Sequence, residues 1–267
     1  MLKTVFQPIQ PEWKYQLSSI ESLYPSIHFQ NSIACVYQFQ PLVDFNHQTI
    51  IYGIPDGCLD ILFNMDNDET DCYIVPSPKI RQSFTYQSNT TYLGIRLLPL
   101  QTLFKFDIPL VEINQHNHLP LFNVLPSLRS LYEQLLHNST LEERLSIIEQ
   151  FLETNLDFTM VHSNIVNCCI QHTLDLKGDL HVKDLENLTC YSSRYVRKLF
   201  QDEIGISPKH LIDMIYFQYT LQEMLTGEFT TNKHLDTHDL YDASHFHKKF
   251  KKLTNMTPKQ YHKLITG

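Results

Sequence analysis

Residues 28–100 alternate between hydrophobic and polar positions, which is the two-residue period of half-buried β-strands. The alternating segments are short and rich in β-branched and aromatic residues: SIACVYQF, TIIYGIP, LDILFNM, DCYIVP, SFTYQS and TYLGIRLLP. Proline, glycine, asparagine and aspartate lie between them, and Pro55-Asp56-Gly57 is expected to form a β-turn. The pattern predicts a β-barrel or a β-sandwich in the N-terminal part of the chain.

The hydrophobic period then changes to that of a helix. Thr140 and Glu143 have the spacing of a capping box, in which two side chains satisfy free amides at a helix start. Apolar residues follow at helical spacing: Leu141, Leu145, Ile148 and Leu152. Together with residues 125–136 they predict two antiparallel helices, with a hinge within 154–160.

The C-terminal third of the chain contains an internal repeat with a period of 50 residues. SSRYVRKLFQDEIGISPKHL (192–211) aligns with DASHFHKKFKKLTNMTPKQY (242–261). Four positions are identical in the two copies: Lys198/Lys248, Phe200/Phe250, Pro208/Pro258 and Lys209/Lys259.

Helix-capping residues support this alignment. Ser192 and Asp242 are N-cap residue types, and Gly205 and Asn255 readily adopt the left-handed conformation that ends a helix. In both copies a hydroxyl residue then precedes a proline at the expected first position of the next helix. Each copy therefore predicts two capped helices separated by a tight stop.

The first helix of each copy is amphipathic on a wheel of about 100° per residue. In the first copy the polar arc carries Ser193, Arg194, Arg197, Lys198 and Gln201, opposite Tyr195, Val196, Leu199 and Phe200. In the second copy it carries Ala243, Ser244, His247, Lys248 and Lys251, opposite Phe246, Phe250 and Leu253. The segment VKDLENLTCYS (182–192) adds a short helix and a turn, which completes a helix-turn-helix pattern. A helical solenoid is the alternative, although two copies are few for stacked repeats.

SSRYVRKLFQDEIGISPKHL and SHFHKKFKKLTNMTPKQYHK, with the helical spacing between them, resemble the C-terminal domain of the AraC/XylS family of bacterial transcription regulators. The resemblance covers residues 165–265. It implies a seven-helix domain in which a long helix within 207–225 joins two helix-turn-helix units. The turn before the second recognition helix is Asp239-Leu240, where the family usually has Gly-Phe. The second unit is therefore expected to fold more loosely, or to contact DNA backbone more than bases.

The resemblance also implies which residues contact DNA. The groove residues would be Arg194, Arg197 and Lys198 in the first unit, and Ala243, Ser244, His247 and Lys248 in the second. Ser193 and Lys251 share those helix faces and complete the predicted groove set. Phosphates would be held by Lys209, Lys259 and the backbone amides near Ser192, Ser207 and Thr257, because helix N-termini favour anions.

IPDGCLDILF (54–63) and YLGIRLLPLQTLF (92–104) resemble segments of a cupin-like sensor domain found at the N-terminus of some AraC-type regulators. The expected architecture is thus α+β and multidomain, with a β-barrel or cupin-like domain over 1–158 and an all-α domain over 159–267. Arg96 lies inside an apolar strand, so it either pairs with Asp56 or Asp60 or holds an anionic ligand. Asp56, Asp60 and Arg96 are accordingly the predicted ligand-binding residues.

Charge is distributed unevenly along this acidic chain, which has a net charge of −8. Residues 1–159 contain 8 basic and 17 acidic residues, whereas residues 160–267 contain 13 and 12. From Ala243 onward there are six lysines and no carboxylate side chain. A charge run is usually only a solvated face, so the repeat is the more specific indication of DNA binding. No signal peptide or long apolar run is evident, and a cytoplasmic location is expected.

These features predict a sequence-specific DNA-binding transcription regulator whose N-terminal domain senses a small effector, dimerises, or both. The expected partners are double-stranded DNA, a small-molecule effector, a second copy of the chain and, for an activator, RNA polymerase. No cofactor, metal or catalytic residue is predicted. The sequence contains none of the G-x-S-x-G, H-E-x-x-H, P-loop or G-x-G-x-x-G motifs.

Two alternatives remain open at this stage. The first is a cupin-type metal-dependent enzyme with a helical appendage, for which His116-x-His118 or His234-x₃-His238 with His245 and His247 would be metal ligands. The second is a thiol sensor that uses Cys58 or Cys190, although cysteines without a C-x-x-C pair are usually reduced core residues.

Overall fold

The computed structural model describes residues 6–43, 47–101, 103–155, 163–227 and 241–266, with side chains for all of these except 241–246. Its N-terminal part contains the strands β1 (Leu17–Leu23), β2 (Ile33–Pro41), β3 (Gln48–Gly53), β4 (Leu59–Asn64), β5 (Tyr73–Pro76), β6 (Gln82–Gln87), β7 (Tyr92–Leu97) and β8 (Leu119–Pro120). Six strands form one antiparallel sheet in the order β1-β2-β7-β4-β5-β8, and β3 pairs with β6 in a second sheet. The six segments predicted as strands are β2 to β7 and are confirmed.

The larger sheet has two different buried faces because side chains alternate along each strand. Leu93 and Ile95 of β7 point to a core shared with the helices that follow the sheet. Tyr37 and Phe39 of β2 point to the opposite side, where Phe39 meets Tyr86 of β6 edge to face, with ring centroids 5.6 Å apart. The β3–β6 sheet therefore covers part of one face, and helices cover the other.

The strands that the structure describes do not close into a barrel, so the barrel prediction is wrong. β1 and β8 form opposite edges of the six-stranded sheet and do not pair with each other. Sequence alternation predicts which face a residue occupies, whereas closure depends on which strands are neighbours. The stacking of two sheets corresponds to the sandwich alternative instead.

Helices α1 (Leu110–Ile113), α2 (Leu121–Val124), α3 (Arg129–Leu136) and α4 (Leu141–Asn155) follow the sheet. The two predicted helices are α3 and α4 and are confirmed. The capping box is confirmed as well, since the Glu143 N–H donates to Thr140 Oγ1 and the Thr140 N–H donates to Glu143 Oε2, both at 3.2 Å. The predicted hinge and the domain boundary at 158/159 fall on residues 156–162, outside the described part.

The C-terminal part is helical, with α5 (Asn164–Asp175), α6 (Val182–Thr189), α7 (Ser193–Glu203), α8 (Pro208–Thr226), α9 (Tyr241–Thr254) and α10 (Pro258–Thr266). α8 is the predicted long helix between the two units. Gly205 and Asn255 have φ angles of 74° and 60°, which confirms the predicted left-handed stops. Ser207 accepts a bond from the His210 N–H at 3.2 Å and caps α8, as predicted.

The two parts of the chain share buried contacts along α8. Cys58 from the loop before β4 belongs to an apolar cluster with Leu211. Gln218, in the middle of α8, is fully buried. It accepts a hydrogen bond from the Ile9 N–H at 2.8 Å and donates one to the Pro55 carbonyl at 2.9 Å. One helix side chain is thus bonded to two separate segments of the N-terminal part.

Neither of the elements before β2 was predicted, namely β1 and a 3₁₀-helix over Pro11–Tyr15. β1 has the sequence LSSIESL, and its middle residues are exposed because it is an edge strand. No described helix combines the length and the apolar character that a membrane span requires.

Candidate functional site

Backbone geometry fixes the turn of the first helix-turn-helix unit. Cys190 follows α6 in the left-handed conformation, with φ 60°, and its N–H donates to the Glu186 carbonyl at 2.8 Å. Ser192 then caps α7, because its hydroxyl accepts the Tyr195 N–H at 3.4 Å. α7 starts three residues after Cys190, which is the short connection typical of this motif.

α7 presents its predicted basic face to solvent. Val196 and Phe200 on its other side are fully buried in a cluster shared with α5 and α8. The exposed residues are Arg194, Arg197 and Lys198, and Ser193 is half-buried. The structure therefore brings the predicted groove residues of the first unit onto one accessible side, while their contact with DNA remains a prediction.

One residue of the predicted apolar arc of α7 is not buried. Tyr195 is 42% exposed, and its ring packs against Tyr191 with centroids 4.9 Å apart. Glu203 accepts a hydrogen bond from the Ser163 N–H at 2.6 Å, which ties the end of α7 to the start of α5.

α9 is the predicted recognition helix of the second unit. Phe250 and Leu253 are buried, and His247, Lys248 and Lys251 are exposed, which matches the predicted division into two faces. α10 then starts at Pro258, where Thr257 Oγ1 accepts the Gln260 N–H at 3.3 Å.

Several predictions on the second unit concern residues outside the described part. Ala243 and Ser244 lie in α9, but their side chains, like that of His245, are not described. The turn Asp239-Leu240 and the pair His234-x₃-His238 also fall outside. α9 begins at Tyr241, so Asp242 lies inside its first turn and the prediction that it precedes the helix is wrong.

The lysines near the two units have different surroundings. Lys259 is exposed in the first turn of α10. The Lys209 side chain is 65% exposed, and its Nζ lies 3.7 Å from Asp213 Oδ2. Lys249 was not predicted as a special residue, yet its Nζ lies 3.1 Å from Asp213 Oδ1 and 5.1 Å from the centre of the Tyr216 ring.

Arg96 is buried and paired within the N-terminal part. Its Nε and Nη2 donate to the two carboxylate oxygens of Asp60 at 2.9 and 2.7 Å, and Nη1 lies 3.6 Å from Asp56 Oδ2. The guanidinium also lies over the rings of Trp13 and Tyr37, at 4.9 and 5.3 Å. Although burial favours the neutral form, the two carboxylates raise the pKa of Arg96 well above its usual value. The ion pair predicted as one alternative is therefore present.

The chain bends at Gly57, in the segment Pro55-Asp56-Gly57 that was predicted to form a β-turn. Gly57 has φ 76°, and the N–H groups of Asp56 and Gly57 both donate to Ser77 Oγ, at 3.0 and 2.9 Å. Asp56 also accepts from the Cys58 N–H at 2.9 Å. The segment is thus held by side chains, because its amides have no strand partner.

A small cavity, named here the sheet cavity, lies between the two β-sheets. It has about 30 Å³ of free space and is walled by aromatic residues and the ion-pair group: Trp13, Tyr37, Phe39, Phe84, Tyr86, Asp56, Asp60 and Arg96. One arginine against two aspartates gives its polar wall a net negative charge.

A second cavity, named here the junction cavity, lies between the N-terminal part and the α7–α8 region and has about 50 Å³ of free space. Its apolar lining is Leu59, Leu98, Pro99, Phe106, Leu110, Ile204, Ile206 and Met214. Its basic groups are Lys79 and His210. Burial is the largest influence on His210 and lowers its pKa below the usual value; Asp213 opposes this, and the charges of Lys252 and Lys79 add to it.

The alternative sites gain no support from the described residues. No three His, Cys, Asp or Glu side chains among them converge as metal ligands. His118 instead packs its ring on Tyr73, with centroids 4.5 Å apart. Cys58 is buried, and burial raises the pKa of its thiol well above the usual value, so that the reactive thiolate is disfavoured. Cys190 is exposed in the turn of the first unit.

Residues 185–264 match the profile of a protein family described as a helix-turn-helix domain. The C-terminal part of the chain is an AraC-type helix-turn-helix domain. The matched range starts in α6 and ends in α10, so the helix-turn-helix domain includes both copies of the repeat and α8 between them. No curated protein matches the chain.

The structure also resembles those of ToxT from Vibrio cholerae. The structure of ToxT at 1.65 Å resolution is 14% identical, with a TM-score of 0.40 over 93% of this chain and 98% of that one. ToxT bound to (E)-4-(8-methylnaphthalen-1-yl)but-3-enoic acid is 13% identical, with the same TM-score and coverage. ToxT bound to an unsaturated fatty acid is 15% identical, with a TM-score of 0.36 over 93% and 95% of the two chains. At these TM-scores the similarity carries no weight for function.

Proposed function

We propose that this protein is a sequence-specific DNA-binding transcription regulator, in which α7 and α9 are recognition helices that enter major grooves. The observation that carries the proposal is the exposed basic face of α7, repeated on α9 within one helix-turn-helix domain. Arginine and lysine side chains in the major groove bind guanine edges, and helix N-termini bind phosphates. Two recognition helices on one domain fit two successive major-groove turns, about 34 Å apart.

Selection of bound duplexes from random DNA tests this function, followed by affinity measurements at several salt concentrations. A regulator should select one sequence family, and its affinity should fall steeply with salt because each phosphate contact releases counterions. Equal affinity for selected and scrambled duplexes would contradict sequence-specific recognition. A mutant with Arg194, Arg197 and Lys198 all changed to alanine is the control, and it should lose the selectivity.

We further propose that a small effector with one negative charge and an apolar body binds in the junction cavity. The cavity lining is mostly apolar, Lys79 supplies a positive charge to it, and Lys252 lies near His210. Its walls come from both parts of the chain, and its free space of about 50 Å³ is too small for an acyl chain, so such an occupant must widen the contact between the two parts. A carboxylate would also favour protonation of His210, since an opposite charge stabilises the imidazolium.

Asp56, Asp60 and Arg96 fit an effector site less well. An anion in the sheet cavity would meet two carboxylates, and it could reach the arginine only by displacing Asp60. We therefore propose that the three residues are structural: Asp60 and Arg96 join the neighbouring strands β4 and β7, and Asp56 ties the loop before β4 to the same arginine. Thermal shifts with octanoate and with octanol, its neutral counterpart, test whether an anion binds in the junction cavity. Octanoate should stabilise the protein, and Lys79→Met should abolish that stabilisation. Equal stabilisation by both compounds would contradict a charge-selective site.

Dimerisation, contact with RNA polymerase by an activator, and action in the cytoplasm complete the proposed role. The proposal does not include an enzymatic role.

A further inference from the structure

Lys249 is distinguished from the other lysines of α9 by its surroundings. Lys248, Lys251 and Lys252 are exposed, whereas the Lys249 side chain is only 22% exposed. Its Nζ lies 3.1 Å from Asp213 Oδ1, and it lies over the Tyr216 ring at 5.1 Å. Both partners belong to α8, the helix that joins the two helix-turn-helix units.

Comparison of the two copies of the internal repeat shows that Lys249 replaces an apolar residue. Lys249 occupies the position that corresponds to Leu199 in the first unit. Leu199 is half-buried and packs into the apolar cluster around α7. In the second unit the same position carries a charge, and its counter-charge is on α8. An apolar contact has thus been replaced by a directed ionic one.

Asp213 is a strong ionic partner for Lys249 because most of its side chain is shielded from water. Its side chain is 10% exposed, and it lies between the buried residues Ile212 and Met214. Apart from the ion pair with Lys249, Asp213 Oδ1 has no hydrogen-bond partner in the described part of the chain. Its other oxygen lies 3.7 Å from the largely exposed Lys209. Removal of Lys249 would leave a buried carboxylate oxygen without its close partner, which is costly.

The ion pair restricts the orientation of α9 at a contact with α8 that is otherwise apolar. Phe217, four residues after Asp213 on α8, meets Phe250, the residue after Lys249 on α9, edge to face, with ring centroids 5.2 Å apart. Aromatic packing tolerates some rotation of α9 about its axis, whereas the Lys249–Asp213 pair fixes which side of α9 faces α8. The opposite side of α9 carries the predicted groove residues His247, Lys248 and Lys251.

We propose that Lys249 is a positioning residue, which sets the rotation of the second recognition helix against α8 through Asp213 and Tyr216 and does not itself contact DNA. The proposal rests on the proposed DNA-binding function. The spacing and rotation of α9 relative to α7 then decide whether both helices fit one duplex at the same time. Lys249 thereby affects binding to two adjacent half-sites and has no effect on binding through the half-site of α7 alone.

The test compares Lys249→Met with Lys248→Met, its exposed neighbour, on duplexes from the selection experiment. One duplex carries both half-sites, and in the other the half-site bound by α9 is scrambled. Lys249→Met should bind the complete duplex roughly tenfold more weakly, a typical coupling between contacting residues, and should bind the scrambled duplex like the wild type. Its salt slope should equal that of the wild type, while Lys248→Met should reduce the slope by about 0.9.

Two further variants separate positioning from misfolding. Lys249→Arg retains the charge and should bind the complete duplex like the wild type. The charge swap Asp213→Lys with Lys249→Asp should recover part of the affinity that Lys249→Met loses, with circular dichroism confirming that each variant is folded. A salt slope reduced in Lys249→Met as in Lys248→Met, or wild-type affinity of Lys249→Met, would overturn the proposal. A wild-type protein without sequence preference would instead overturn the proposed function.

Discussion

The backbone N–H of Arg81 donates a hydrogen bond of 2.6 Å to the carbonyl oxygen of Leu253, near the C-terminal end of α9. The Arg81 guanidinium forms two further bonds to the Glu12 carboxylate, at 2.8 and 2.6 Å, and lies over the Tyr52 ring at 3.8 Å. The residue that precedes β6 thus connects the second recognition helix to the N-terminal segment. Contacts that stabilise the fold therefore lie next to α9, the proposed second recognition helix.

The Glu12–Arg81 pair is expected to contribute strongly to stability because both side chains are largely buried. Glu12→Gln should lower the free energy of unfolding by about 3 kcal/mol, since it leaves the guanidinium without its charged partner. The exposed pair Arg129–Glu69 is the matched control, and Glu69→Gln should cost less than about 1 kcal/mol. Urea unfolding of the two variants measures the difference, and equal losses would contradict this ranking.

His210 predicts how stability depends on pH. Its pKa is lowered in the folded protein, so the unfolded chain binds a proton more readily once the pH falls to the usual value of about 6.5. Its contribution should therefore be constant above that value and be lost as the pH falls below it, down to the lowered pKa. His210→Gln should be less sensitive to pH over this window in urea unfolding at pH 5 to 8. A wild type and a variant with parallel pH profiles would show that His210 is not responsible.

Gly205 and Gly227 have the same backbone conformation but different packing, so the two glycines distinguish the cost of a steric contact from the cost of the left-handed backbone. Both have φ angles near 75°, but a Cβ on Gly205 would lie 2.6 Å from the Leu110 oxygen, whereas one on Gly227 would meet nothing within 4 Å. Gly227→Ala should cost about 1 kcal/mol from the left-handed backbone alone. Gly205→Ala should cost at least about 1 kcal/mol more because α1 must move. Similar melting temperatures for the two variants would show that this contact is easily relieved.

Arg197 is expected to read a base because it is exposed on the first recognition helix. Arg197→Ala should relax the sequence preference at one base pair, at a cost of about 1–3 kcal/mol for that pair. Measured affinities for all four base pairs at each position of the selected site provide the test. An equal loss on every sequence would assign Arg197 to the phosphates instead. Lys259→Ala is the comparison, and it should weaken all sequences alike.

Local elements were predictable where a residue's own chemistry determines them. The capping box at Thr140 and Glu143 and the left-handed stops at Gly205 and Asn255 each depend on a few neighbouring residues, and all are confirmed. The two-residue alternation likewise located the strands β2 to β7. These signals depend on residues that are close in sequence, and such local patterns can be recognised in a single sequence.

Long-range relationships were not predictable in this way. The open edge at β1 depends on strand order, and β1 is too polar to show a strong strand pattern. Lys248 and Lys249 are the same residue type at adjacent positions, and only the buried Asp213, 36 residues before Lys249, distinguishes them. On the helical wheel Lys249 lies beside the apolar arc of Phe250 and Leu253, which was the available indication of its partial burial.

Gln218 restricts how the two parts of the molecule can move. Its fully buried amide is bonded at one side to the N–H of the half-buried Ile9 and at the other to the carbonyl of the buried Pro55. Movement of α8 along its own axis by a single turn would leave both the Ile9 N–H and the Pro55 carbonyl without their hydrogen-bond partner. Separation of the two parts would break the same two bonds and would also expose the apolar cluster that contains Cys58 and Leu211, so both movements are opposed.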